Sequence, residues 1–123
     1  RQMADTLTAQ GQVDGGFLER LQARERMGTM AFDHSVAIPH TVQYAGDRLV
    51  LAVGTFPRPV RYQDRDVRVI FLLGLPETVS SEDGLLIRVY EEIISLTRDS
   101  GLLDKITKAA DFQALLRALY KQA

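Results

Sequence analysis

From Val67 to Leu75 the chain is almost continuously apolar, interrupted only by Arg68 and stopped by Gly74 and Pro76. A strand with one wet face alternates apolar and polar residues, so a run without alternation has no side to give to water. It is also far too short to span a bilayer. Such a run belongs to a strand inside a sheet that is covered on both faces, which requires helices on both sides. Leu49 to Val53, entered by a turn at Gly46 and Asp47, has the same character. The fold class expected is α/β, a mixed sheet of about four to five strands sandwiched between helices in three layers.

The flanking segments supply those helices. Arg1 to Gln10 reads as a helix with Met3, Ala4 and Leu7 inward, ended by Gly11. Asp14 is a good N-cap for a second helix, whose Phe17, Leu18 and Leu21 lie close to one face. Downstream, Ser80-Ser81-Glu82-Asp83 resembles a capping box. The helix that follows, Leu85 to Thr97, turns Leu86, Val89, Tyr90, Ile93 and Leu96 inward. Asp99 and Ser100 cap a short helix with Leu102, Leu103 and Ile106, and Asp111 caps a last one with Phe112, Leu115, Leu116, Leu119 and Tyr120. Between the two apolar runs, the prolines in Phe56-Pro57-Arg58-Pro59-Val60-Arg61 predict an extended connection. Arg58, Arg61, Arg65 and Arg68 stand among Asp64 and Asp66, which reads as a solvated, charge-balanced surface.

Composition narrows the chemistry. The 123 residues suit one domain, 1–123, without linker or repeat, and a start at Arg1 reads as a piece of something longer. A formal charge of −1 gives no footprint for nucleic acid. The absence of cysteine removes disulfides, thiolate nucleophiles and cysteine zinc sites, and two histidines are too few for a histidine metal cage. No phosphate loop, dinucleotide fingerprint or hydrolase elbow is present, so no cofactor is expected. With no signal peptide and no membrane span, a cytoplasmic protein is the expectation.

One constellation remains. Ser35-Val36-Ala37-Ile38-Pro39 suits a short buried strand that stops at the proline, leaving His40 at its end to meet solvent or a ligand. Arg24 lies seven residues after Phe17, nearly in line with the apolar stripe of its helix. Either it snorkels off the helix end or its guanidinium faces an anion at the edge of the core. A neutral imidazole can attack a phosphoryl group in line, and a guanidinium nearby offsets the charge on the transferred oxygens. His34 reads as a polar residue at strand entry.

Arg24-Glu25-Arg26, a short spacer and Val36-Ala37-Ile38-Pro39-His40 resemble the motif of enzyme IIA domains. The class is the mannitol/fructose one of the phosphoenolpyruvate-dependent sugar phosphotransferase system. The resemblance continues through Val69-Ile70-Phe71-Leu72-Leu73-Gly74 and the helices beyond, covering nearly everything from Phe17 onward. It implies that His40 is phosphorylated by phospho-HPr, that Arg24 supports the phosphoryl group, and that the usual acceptor is a cysteine of a IIB domain. Transporting members carry a second histidine where this chain has Leu86, and His34 is the residue available to stand in for it. Ile87-Arg88-Val89-Tyr90-Glu91-Glu92-Ile93-Ile94 resembles the matching helix in the C-terminal IIA-like modules of sugar-operon activators and antiterminators. There, the likeness implies, phosphorylation reports sugar flux to other domains of the parent regulator. Two rivals stay open: a transport subunit relaying phosphoryl groups to IIB, and a descendant that binds partners without being phosphorylated.

Overall fold

The computed structural model describes residues 1–32, 35–43, 48–76, 85–98 and 100–108, with the side chains of residues 32, 43, 85, 86, 96, 100, 102 and 103 excepted. In chain order the elements are α1 (Gln2–Ala9), α2 (Phe17–Glu25), β1 (Ala31–Phe32), β2 (Val36–Ala37), β3 (His40–Gln43), β4 (Val50–Tyr62), β5 (Arg65–Pro76), α3 (Leu85–Thr97) and α4 (Ser100–Thr107). The expected starts at Ser80–Asp83 and Asp99 and the helix after Asp111 lie outside the described residues.

The run that dominates the sequence becomes the strand that dominates the sheet. β5 pairs antiparallel with β4 along one edge, and parallel with β2 and then β3 along the other. β1 completes five strands by pairing antiparallel with β2. Alternation along β5 sorts its side chains to two cores. Val69, Phe71 and Leu73 join Val36 and Ile38 beneath Ile93 of α3 and Ile106 of α4. Leu72 faces the other way, into Ala4 and Leu7 of α1 and Phe17 and Leu21 of α2. The sheet therefore lies between two helical layers, as the patterning requires.

Four local expectations need correction. The first concerns Asp14, which does not cap α2: Gly16 holds that position, without a side-chain cap. Asp14 opens a turn instead, its carbonyl accepting the Phe17 N–H at 3.2 Å, while its carboxylate accepts the Gly16 N–H at 3.0 Å and binds Arg20 at 2.7 Å. Two successive glycines lengthen the entry, and the guanidinium draws the carboxylate away from the helix end. Second, residues 56–61 do not connect strands; they lie inside β4, which shifts register between Thr55 and Val60. Prolines are tolerated there because β4 has no ladder partner on its outer side among the described residues, and the pre-proline backbone is already extended. Third, Leu51 is 52% exposed, so β4 is not covered on both faces; an edge strand outlies the helical layers.

The fourth correction bears on the site. Pro39 interrupts the strand but does not end it. Its missing N–H breaks the ladder for one residue, yet its carbonyl still accepts the Leu73 N–H at 2.9 Å. The chain resumes at once as β3, with His40 opposite Leu73. Arg20 holds this strand against α2, its Nε donating to the Val42 carbonyl at 2.9 Å.

Candidate functional site

His40 opens β3 and is only 7% exposed, although a strand terminus was the reason to expect it in contact with solvent. Its register with Leu73 puts the ring on the sheet face covered by α3, and Tyr90 of that helix meets it edge-on. The ring centroids are 5.5 Å apart at an interplanar angle of 77°. This contact across the helical layer is why the imidazole is withdrawn from water.

Hydrogen bonding defines the ring's two nitrogens. Nδ1 lies 3.0 Å from the Ile38 carbonyl oxygen. A carbonyl can only accept, so this contact places the proton on Nδ1 and the lone pair on Nε2. The Tyr90 hydroxyl is 2.8 Å from Nδ1 and 3.3 Å from Nε2. With the Nδ1 proton directed at Ile38, the hydroxyl is placed to donate to Nε2. Proline at position 39 favours this arrangement, because it makes residue 38 extended and leaves the Ile38 carbonyl free of a following helical turn.

Electrostatics keep the ring neutral. Burial lowers the His40 pKa below its ordinary 6.5; the Ile38 carbonyl opposes that shift, and the Arg24 charge adds to it. Burial raises the Tyr90 hydroxyl, with Arg24 acting the other way. One guanidinium, half-buried in the last turn of α2, is thus felt by both members of the His40–Tyr90 pair. Arg24 is close enough for its charge to act on both rings, and the helix that carries it packs against β3.

Of the other two candidates, Leu86 lies in the first turn of α3 with its side chain outside the described residues, and His34 lies wholly outside them. Sequence reasoning assigned Tyr90 to the core and missed its contact with the imidazole. The available signal was spacing: Tyr90 follows Leu86 by four residues and so shares its helix face. Among the described residues no cluster of three or more His, Cys, Asp or Glu side chains could hold a metal ion. None of the described helices is long and apolar enough to cross a membrane.

A mixed sheet between helical layers, with a neutral histidine opening an edge strand beside an arginine-bearing helix, defines a class. Residues 1–122 match the family described as the phosphoenolpyruvate-dependent sugar phosphotransferase system, EIIA 2, and the chain belongs to that family. It is 29% identical over 112 residues to a nitrogen regulatory protein of Bradyrhizobium diazoefficiens, covering 89% of this chain and 71% of that protein. It is 28% identical over 119 residues to a multiphosphoryl transfer protein of Salmonella typhimurium, covering 94% of this chain but 31% of that one. The chain thus spans under a third of that relative's length. In fold it is similar to the mannitol IIA protein of Escherichia coli, with a TM-score of 0.76 at 14% identity over 96% of this chain and 84% of that one. The same IIA protein in complex with phosphorylated mannitol IIB gives 0.69 at 17% identity over 98% of this chain and 83% of that one.

Proposed function

We propose that this chain is a histidine phosphoryl-acceptor domain serving regulation, phosphorylated on His40 by phospho-HPr within a larger sugar-responsive transcriptional regulator or antiterminator. The observation that carries it is a buried imidazole whose Nδ1 lies 3.0 Å from the Ile38 carbonyl oxygen, a contact that favours the proton on Nδ1 and leaves a lone pair on Nε2, with the charge of Arg24 acting on the ring. Nε2 attacks phosphorus in line, the phosphorus–nitrogen bond to the donor's imidazole breaks, and the donor nitrogen keeps the electron pair. Positive charge then develops on the His40 ring, and the Ile38 carbonyl stabilises it through Nδ1–H. Arg24 offsets the negative charge on the transferred oxygens.

Regulation is favoured over relay by Leu86, which stands where transporting members have a second histidine, and by likeness to a nitrogen regulatory protein. Phosphorylation adds nearly two negative charges at one spot, which changes what a neighbouring domain can dock against. Relay to a IIB cysteine is the second reading, supported by the likeness to a IIA protein captured with phosphorylated IIB.

The test is phosphorylation with phosphoenolpyruvate, enzyme I and HPr. An acid-labile label should appear on the wild type and vanish in His40→Ala. Arg24→Ala should slow labelling by about a hundredfold while leaving unfolding little changed. Absence of label on the folded wild type would leave only the partner-binding reading.

A further inference from the structure

The tip of the β4–β5 hairpin carries a residue that does not behave like a surface turn residue. Gln63 sits in the left-handed region at φ 54°, where a side chain with a Cβ is seldom found. Its amide is spent entirely on the backbone of a distant segment. Oε1 accepts the Met30 N–H at 2.8 Å, and Nε2 donates to the carbonyls of Glu25 and Gly28 at 3.1 Å each. Those three groups bracket the turn by which the chain leaves α2. Arg24 is in the last turn of that helix, its own carbonyl accepting the Met27 N–H at 3.0 Å inside the same turn.

The neighbouring hairpin residue lies against the same stretch. The Tyr62 hydroxyl is buried beside Glu25. Burial raises its pKa first; the charge of Glu25 and its interaction with the hydroxyl add to the rise, and the charge of Arg24 opposes it. The hairpin tip and the arginine-bearing helix end are therefore packed together, with Gln63 as the polar fastening between them.

We propose that Gln63 is the positioning residue for Arg24, its amide fastening the exit of α2 to the hairpin so that the helix end carrying Arg24 keeps its place beside the strand of His40. Glutamine suits the task because one amide supplies both an acceptor and two donors. Glutamate has no donor for the two carbonyls when ionised, and asparagine is one methylene short. The inference rests on the reading of His40 and Arg24 as a phosphoryl site, and it assigns Gln63 no contact with the phosphoryl group.

The test uses the whole chain and two readouts: the rate of labelling by phospho-HPr, and the His40 pKa from NMR titration of its ring proton. Gln63→Gly relieves the left-handed backbone while removing the amide; Gln63→Glu keeps the side-chain length while removing both donors. Both variants should slow labelling by about tenfold. Both should also raise the His40 pKa, in the direction Arg24→Ala raises it. Added to Arg24→Ala, Gln63→Gly should have no further effect on either readout. Folded Gln63 variants with the wild-type rate and pKa, beside an Arg24→Ala that loses both, would overturn the positioning role and leave the phosphoryl site standing. Failure of all variants, wild type included, to take label would overturn the phosphoryl reading. In that event the titration still decides: a His40 pKa moved by Arg24→Ala but untouched at Gln63 rejects the fastening, and a matched shift supports it.

Discussion

At His40 the proposed phosphoryl chemistry sets two requirements on one side chain, because a nucleophile must be neutral and also held at a defined angle. Burial secures the first and the Ile38 carbonyl the second. The lowered pKa has a consequence for stability. Between the folded-state value and 6.5 the unfolded chain binds more protons at this residue than the native one, so stability rises with pH across that window. The contribution is fully present above 6.5 and is lost as pH falls through the folded value. Denaturant unfolding at pH 5.5 and 7.5 should therefore show the wild type weakened at the lower pH, and His40→Gln should reduce that difference. An equal difference in both proteins would mean that the ring titrates normally. His40 and Arg24 were legible in the sequence because both lie in one local motif. Tyr90 was not: it reaches His40 from 50 residues away, and a tyrosine on an apolar helix face reads as core.

Among the elements, β5 orders the rest, with Val69, Phe71 and Leu73 under α3 and α4 and Leu72 under α1 and α2. Leu73 is fully buried and sits in register with both His40 and Leu51. Leu73→Ala should destabilise the domain by about 3 kcal/mol, because the cavity is enclosed between sheet and helices. Leu51→Ala, the same change one strand outward, should cost less than about 1 kcal/mol, since half of that side chain is already in water. Similar losses at both positions in chemical denaturation would contradict the placement of β4 at the margin of the sheet. Apolar runs did not separate these strands, because Leu49 to Val53 looks as buried as β5 when only composition is read. Edge position depends on which strands pair: β5 gains a second neighbour from β2 and β3, far upstream, whereas β4 gains none among the described residues.

For the molecule as a whole, the proposed function poses the question whether a phosphoryl group placed on His40 would stay or move on. Mixed with a IIB domain, the phosphorylated wild type should lose its acid-labile label slowly. Leu86→His should accelerate that loss if the missing polar neighbour is what limits transfer. Rapid discharge by the wild type would favour transport over regulation.

Taken alone, the chain determined a sheet covered by helices on both faces, the order of its described helices and the candidate pair of Arg24 and His40. Each is written in residues close together in sequence, as a period, a cap or a short motif. Only the tertiary structure decided that β4 is marginal, that Pro39 interrupts a strand which then continues, that His40 is shielded by Tyr90, and that Gln63 fastens the end of α2. The contacts of His40 with Tyr90 and of Gln63 with Met30 join residues 50 and 33 apart, and the place of β4 depends on which other strands pair beside it, so local sequence carries no record of which group will be waiting.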